Sequence, residues 1–295
     1  MKKVLFVYNP VSGKGLVKRR MFDVVDFYNE HDCLVTLCPM FKLYDHEEVL
    51  ADRELDIYDY IVVSGGDGTL NRFLEYIKDY DINQPISYLP TGSTNDYAAT
   101  LGIPKQFGKA LERTIRGYEQ AIDIGRFNER SFLYVAAFGI FTKVVYTTNQ
   151  KIKNIIGYSA YMLEGIKQFG DLQSYELVMN INGETIEGSF ILGVISNALS
   201  IGGMNYLTSD GTVLDDGLFE ILFIRTPSNP IELAGTVSSL RSKNPEEKHG
   251  IIIRKASEIH IEHASMTEWT LDGEFGGARD VVDISVVNKG FRIVV

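Results

Sequence analysis

Ser64-Gly65-Gly66-Asp67-Gly68-Thr69 follows the apolar run Ile61-Val62-Val63, so a strand is expected to end in a glycine-dense turn with one carboxylate at its centre. Gly65, Gly66 and Gly68 leave backbone N–H groups uncovered and tolerate positive φ, which suits a loop that curls around an anion. Asp67 repels a phosphate unless a cation stands between them, and Mg²⁺ bridging phosphoryl oxygens is the most economical choice. An ordinary strand-to-helix turn is the competing account, since two or three glycines are common there. The chain has no G-x-x-x-x-G-K-[ST], and Gly65-Gly66-Asp67-Gly68 does not fit G-x-G-x-x-G, which argues against a P-loop NTPase and a dinucleotide dehydrogenase.

A second acidic turn, Leu271-Asp272-Gly273-Glu274-Phe275-Gly276-Gly277, carries two carboxylates two residues apart after a strand. A carboxylate beside a transferable phosphoryl group can take the proton of an acceptor hydroxyl, the general-base role in phosphoryl transfer. A solvated acidic hairpin explains the same residues equally well. The stretch Ser209-Asp210-Gly211-Thr212-Val213-Leu214-Asp215-Asp216-Gly217 is oxygen-rich and suits a hard cation, but it lacks the EF-hand ligand spacing and reads by default as a surface turn. His260 and His263 sit three apart on an expected strand and so face opposite sides, which speaks for solvated strand positions and against a shared metal. Lys14, Lys18, Arg19 and Arg20, with Lys151 and Lys153, could form a local patch for anionic lipid headgroups, although a solvated helix face is the commoner explanation.

The elements that must position these residues alternate in the first part of the chain. Strands are expected at Lys3–Tyr8, Cys33–Cys38, Asp59–Ser64 and Pro85–Leu89, and helices at Leu16–Asn29, around Asp45–Arg53 and at Thr69–Asp79. Such alternation predicts a parallel sheet with helices on both faces, whose ligands sit beyond the carboxyl ends of the strands. Asn9-Pro10-Val11-Ser12-Gly13, Gly65–Thr69 and Pro90-Thr91-Gly92-Ser93-Thr94-Asn95-Asp96 all follow strands in this way and converge on one edge. Beyond about Ile124 the pattern changes to period-two strands. The hairpin signal Asn182-Gly183 joins Tyr175–Ile181 to Glu184–Ile195, a helix is expected between about Asn154 and Phe169, and further strands at Phe219–Ile224, Ile251–Arg254, Glu258–Glu262, Trp269–Leu271 and Val281–Val287. Two domains follow, an α/β domain over 1–125 and a mostly antiparallel β domain over 126–295, with room for the last strand, about 290–295, to return to the first.

With 295 residues, two domains of roughly 100 to 200 residues each are expected. Hydrophobic residues at 45% and charged residues at 23% describe an ordinary globular chain. A net charge of −10 and a pI near 5.1 argue against nucleic acid as the main partner. The apolar part of Met1–Tyr8 is too short for a signal peptide, and the uncharged stretch Gly188–Ser209 is too rich in Asn, Ser and Gly to span a membrane. Only Cys33 and Cys38 occur, so no disulfide framework is expected and a reducing cytoplasm is the natural home.

Six motifs in order carry a resemblance over essentially the whole length. They are Asn9-Pro-x-Ser-Gly13, Gly65-Gly-Asp-Gly-Thr-Leu-Asn71, Pro90-x-Gly-Ser-Thr-Asn-Asp96, Ala121-Ile-Asp-Ile-Gly125, Leu214-Asp-Asp-Gly-Leu218 and Leu271-Asp-Gly-Glu274. In them the chain resembles the bacterial diacylglycerol kinase and YegS-like lipid kinases, relatives of the sphingosine and ceramide kinases. The resemblance implies a Rossmann-like α/β nucleotide domain followed by a β-sandwich, with ATP in the cleft between them. Asn9, Pro10, Ser12, Gly13, Gly65, Gly66, Asp67, Gly68, Thr69, Asn71 and Ser93 would line the ATP site, with Asp67 close to the phosphates and the catalytic Mg²⁺. Asp272 would be the general base, with Glu274 as its neighbour near the nucleotide. A structural Mg²⁺ would sit at Asp216 with the carbonyls of Val213 and Leu218, and Asp96 and Asp123 would support the metal and the cleft.

The implied activity is ATP-dependent phosphorylation of a lipid hydroxyl, of diacylglycerol, phosphatidylglycerol or a related lipid, by a peripheral enzyme at the inner face of the membrane; a homodimer is left open. Some positions depart from the family pattern. Met40-Phe41 stands where many members have a Thr that helps hold ATP, Ser93 replaces a common Thr, and Ala99 and Glu164 stand where some diacylglycerol-specific members carry basic residues. Phe138, Ile140, Phe141 and Ile201 are expected to line an acyl passage. The rivals are a kinase of soluble substrates akin to NAD kinase or phosphofructokinase, which share the Gly-Gly-Asp-Gly loop, and a nucleotide-binding regulator without catalysis.

Overall fold

Val4, Leu5, Phe6 and Val7 are all fully buried in β1 (Lys2–Tyr8), the continuous apolar run of a strand covered on both faces. The structure, a computed structural model, describes residues 1–40, 55–77, 84–93, 95–140, 172–197, 213–240 and 248–295. It divides into two units, Met1–Ile122 with Phe291–Val295, and Asp123–Gly290. In the first unit β1 is followed by α1 (Leu16–Arg19), α2 (Met21–Glu30), β2 (Cys33–Pro39), β3 (Tyr60–Gly65), α3 (Asp67–Ile77), β4 (Ile86–Pro90), α4 (Asp96–Thr100) and α5 (Phe107–Arg116). β1 lies between β2 and β3, β4 continues beyond β3, and every pairing is parallel. The chain leaves β1 towards β2 and comes back past it to β3. The carboxyl ends of β1 and β3 are therefore a topological switch point, where open α/β sheets take their ligands.

The single helix expected over Leu16–Asn29 is two helices. Arg20 breaks it at φ −106°, and its guanidinium pairs with Asp23 at 2.7 Å and lies 5.3 Å from the centre of the Phe107 ring. The helices expected around Asp45–Arg53 and Asn154–Phe169, and Lys151 and Lys153, lie outside the described residues.

β5 (Glu119–Phe127) leads the chain into the second unit, which contains β6 (Arg130–Phe132), β7 (Val135–Gly139), β8 (Tyr175–Ile181), β9 (Glu184–Ser196), β10 (Phe219–Arg225), α6 (Pro230–Leu240), β11 (Ile251–Ala256), β12 (Glu258–Leu271) and most of β13 (Glu274–Val294). Its pairings are antiparallel. β9 and β12 each pair with β8 along one half and with β7 along the other, so the strands fold over one core in the manner of a sandwich. Asn182 and Gly183 turn the β8–β9 hairpin with φ 52° and 83°, the two positive values that an Asn-Gly pair supplies most readily. The strands expected at Glu258–Glu262 and Trp269–Leu271 are one, because a register shift against β13 between Glu262 and Thr267 absorbs the residues between them. The end of β13 pairs in parallel with β4 of the first unit, Ile293 opposite Ile86.

The second unit's core corrects two expectations. Phe138 is fully buried, with Trp269, His263, Tyr175 and Phe223 at ring-centroid distances of 4.9, 5.0, 5.4 and 6.0 Å, so it is a core residue and not the wall of a passage. Phe141 and Ile201 lie outside the described residues. His263 is not solvated. It is buried between Phe138 and Trp269, and neither ring nitrogen has a hydrogen-bond partner among the described residues. Burial pulls its pKa down to about 4, against a weaker upward pull from Asp280.

Between about pH 6.5 and 4 the unfolded chain takes up the proton that the native imidazole refuses, so this group's effect on stability is absent above pH 6.5 and unfavourable below it. His263→Leu, which removes the buried imidazole, should gain stability over the wild type by on the order of 2 kcal/mol as the pH falls through that window. Parallel unfolding curves of the two proteins at pH 7 and pH 4.5 would show that the ring is not held neutral.

Candidate functional site

The loops after β1, β3 and β4 are tied together at the switch-point edge by their own backbones. Asn9 N–H donates to the Ser64 carbonyl at 2.9 Å, and the Thr91 and Gly92 N–H groups both donate to the Gly65 carbonyl, at 2.7 and 2.9 Å. Side chains reinforce these ties. Asn9 Nδ2 donates to Thr69 Oγ1 at 3.3 Å, Asn9 Oδ1 accepts from Val11 N–H at 3.1 Å, and the Ser64 and Thr91 hydroxyls meet at 3.2 Å. Gly13, in a 3₁₀ turn at Ser12–Gly15, has φ 51°, and a Cβ there would overlap the Thr91 carbonyl oxygen. Only glycine lets the first loop approach the third so closely.

Asp67 is the first residue of α3 and is buried, with 8% of its surface exposed. Its Oδ1 accepts from the Tyr88 hydroxyl at 3.1 Å, and the backbone N–H groups of Asp96 and Tyr97 also donate to the carboxylate. Burial pushes its pKa up to about 6; the Tyr88 bond and the two N–H groups work against that rise, and the charge of Asp96 adds to it. Asp96 itself is raised by burial, with Lys105 pulling the other way. Two carboxylates that burial and mutual repulsion disfavour as anions are a donor set that suits a hard divalent cation, so Asp67 and Asp96 fit Mg²⁺. Among the described residues no group of three or more His, Cys, Asp or Glu gathers to hold a metal.

The remaining residues named for the first unit lie on α3 and on the first and third loops. Thr69 is buried and Gly68 and Asn71 half-buried on α3, Pro10 and Ser12 are half-buried in the first loop, and Ser93 is exposed in the third. Gly66 meets only ordinary contacts where a Cβ would stand, with Gly92 Cα at 3.6 Å. Met40 is buried, its N–H donating to the Tyr8 carbonyl at 2.7 Å; Phe41 and Thr94 lie outside the described residues. Sequence reading missed Tyr88. The available signal was a phenol on a buried strand, directly before that strand's carboxyl-terminal Leu89-Pro90.

In the second unit Asp272 and Gly273 form the two-residue turn between β12 and β13, with φ 50° and 82°. The turn's geometry is that of an ordinary Asp-Gly hairpin, but its carboxylate is not solvated. Asp272 is 6% exposed, its Oδ2 accepting from Leu133 N–H at 2.7 Å and its Oδ1 from Tyr134 and Val135 N–H at 3.0 and 3.1 Å. Glu274 is exposed. The amide donors at residues 133–135 had no signature in the sequence, because backbone groups from a segment more than a hundred residues away carry none.

The loop holding Val213, Asp216 and Leu218 is pinned from beneath by Asp123, which is fully buried. Asp123 Oδ2 accepts from Gly217 N–H at 2.6 Å, and Oδ1 from Lys289 N–H at 2.6 Å and Asn288 Nδ2 at 3.1 Å. Val213 and Asp216 are exposed and Leu218 half-buried; Asp216 Oδ1 accepts from Leu218 N–H at 3.0 Å. One carboxylate with backbone carbonyls is an all-oxygen set, as a hard cation requires.

Comparison with known proteins is consistent across sequence and fold. The family model of the diacylglycerol kinase catalytic domain matches residues 3–127. The chain is 32% identical over 278 residues to a diacylglycerol kinase of Staphylococcus aureus, covering 94% of this chain and 87% of the relative. It is 28% identical over 278 residues to a diacylglycerol kinase of Bacillus subtilis (strain 168), covering 94% and 91%. A crystal structure of a diacylglycerol kinase from Bacillus anthracis str. Sterne superposes with a TM-score of 0.78 at 20% identity, covering 99% of this chain and 96% of that one.

Proposed function

We propose, for a chain that belongs to the bacterial diacylglycerol kinase family and is a lipid kinase, that it transfers the γ-phosphoryl group of ATP to the hydroxyl of diacylglycerol, phosphatidylglycerol or a related lipid in a Mg²⁺-dependent reaction. What supports the reading is the cross-bonded meeting of the loops after β1, β3 and β4 around the buried Asp67. In it, residues 1–125 with the end of the chain bind the nucleotide, and the following β domain serves the lipid.

Asn9, Pro10, Ser12, Gly13, Gly65, Gly66, Gly68, Thr69, Asn71 and Ser93 line the nucleotide, and backbone N–H groups of the glycine loop meet phosphate oxygens. Asp67 and Asp96 hold Mg²⁺, and Asp216 with the Val213 and Leu218 carbonyls holds a second, structural ion. Bound at the first of these sites, Mg²⁺ neutralises phosphate charge and orients the transferring group. Asp272 accepts the proton as the lipid hydroxyl oxygen bonds to the γ-phosphorus; the bond from that phosphorus to the β,γ-bridging oxygen breaks and ADP leaves. Glu274, beside it on the turn, is the second carboxylate assigned to the reaction. The enzyme works at the membrane surface, and among the described residues no helix is long and apolar enough to cross a membrane.

The test is incubation with γ-labelled ATP and Mg²⁺, separately with vesicles containing diacylglycerol, vesicles containing phosphatidylglycerol, NAD and fructose 6-phosphate. Label in the organic phase with a lipid acceptor is expected; label only on NAD or the sugar would overturn the lipid assignment. A single substitution probes the loop. Because the fold leaves room for a methyl group at residue 66, Gly66→Ala should fold and melt near the wild type while its KM for ATP rises at least about tenfold, as expected where a ligand approaches bare backbone. An unchanged KM would place the phosphates elsewhere.

A further inference from the structure

We infer that Tyr88 is a positioning residue for phosphoryl transfer, its hydroxyl clamping the orientation of the Asp67 carboxylate. The inference rests on the reading that Asp67 meets the metal-bound nucleotide. Tyr88 lies on β4 with 2% of its surface exposed, so its hydroxyl is reached by protein oxygens and not by bulk water. Three of these oxygens surround it: Asp67 Oδ1 at 3.1 Å, the Gly65 carbonyl at 3.3 Å and Asn95 Oδ1 at 3.5 Å.

A phenol has one proton to give, and of the three acceptors the carboxylate is the strongest. The bond therefore selects one orientation of Asp67, whose neighbouring backbone is already fixed as the start of α3. The same hydroxyl lies against the glycine loop through Gly65 and against the third loop through Asn95. Asn95 holds its left-handed conformation, φ 56°, with Nδ2 donating to the Gly92 carbonyl at 3.1 Å. With its one proton on Asp67, the Tyr88 hydroxyl makes no further bond to the Gly65 carbonyl or to Asn95 Oδ1, which are acceptors like the carboxylate, and only packs between them. Such an outer partner fixes where a carboxylate points without touching what the carboxylate holds, and losing one typically costs about 10- to 100-fold in metal affinity or activity.

The test is a double-mutant cycle on the full chain, with Tyr88→Phe, Asp67→Asn and the double variant compared by calorimetric Kd for Mg²⁺-ATP and by kcat with diacylglycerol vesicles. Tyr88→Phe is expected to lower kcat or Mg²⁺-ATP affinity about tenfold or more, to leave the KM for lipid unchanged, and to have no further effect once Asp67 is Asn. A purely structural tyrosine would cost the same in both backgrounds, and that result, or wild-type behaviour of Tyr88→Phe, overturns the clamp. Should Tyr88→Phe fail to fold, Tyr88→Met, which fills the space with a more adaptable side chain, is put through the same cycle. Absence of Mg²⁺-ATP binding by folded wild-type protein overturns the nucleotide reading itself and the clamp with it, whereas wild-type binding without coupling overturns the clamp alone.

Discussion

Asp272→Asn is expected to lower the rate of lipid phosphorylation by about 10²- to 10⁴-fold, the usual consequence of removing a general base, with the affinity for Mg²⁺-ATP unchanged. Asparagine tolerates the positive φ of 50° at this turn, so the β12–β13 hairpin keeps its backbone. The replacement is not silent structurally. Both carboxylate oxygens accept backbone N–H groups from residues 133–135, and an amide must turn its NH₂ towards one of those donors, at a cost of about 1–3 kcal/mol. Activity and melting must therefore be read together. A rate loss far exceeding the unfolded fraction supports the base; a wild-type rate, or a loss that only tracks unfolding, contradicts it.

The second large effect is on the use of ATP, with stability nearly unchanged. Asp67 has a folded-state pKa of about 6, above the ordinary carboxylate value, because it is buried. The native state therefore favours the protonated form: the group is best tolerated below about pH 4, and that advantage is lost as pH rises through 6. At pH 7 the ionised group costs the ligand-free fold on the order of 2 kcal/mol. Asp67→Asn relieves that cost but must turn its NH₂ towards one of the carboxylate's donors, at about 1–3 kcal/mol, so it should melt close to the wild-type temperature at pH 7 without ligand, yet lose at least about 100-fold in kcat/KM for ATP. Lower stability with intact activity would mark Asp67 as a structural residue.

Much of this was legible in the chain because local rules and global fold agree. The both-sides-buried run of β1, the Asn182-Gly183 hairpin and the order of glycine loops after β1, β3 and β4 need only periodicity and turn chemistry to be read. Where the reading failed, side-chain partners and burial decided against residue type. Arg20 ends a helix whose apolar spacing continues, since its guanidinium is taken by Asp23 and Phe107. His263 looks polar and exposed by type, but the alternation of β12 turns it into the aromatic core. Helix α6 did have a local signal: Asn229 Oδ1 accepts from Glu232 N–H at 2.9 Å, and Glu232 Oε2 reaches back to Ser228 N–H at 2.7 Å, an N-terminal cap written in Asn-Pro-x-Glu. The amides that receive Asp272 were invisible, as they come from a segment more than a hundred residues away, and the buried phenol of Tyr88 gave no hint of which carboxylate it would meet.

Calorimetric titration of ATP into the folded chain, with and without Mg²⁺, bears most directly on the central claim that the turn after β3 captures a metal-bound triphosphate. Saturable heat with one ATP per chain in the presence of Mg²⁺, lost in its absence and shifted to a much weaker Kd in Asp67→Asn, is the predicted result. No heat at saturating Mg²⁺, or an isotherm indifferent to both the metal and Asp67, would contradict it.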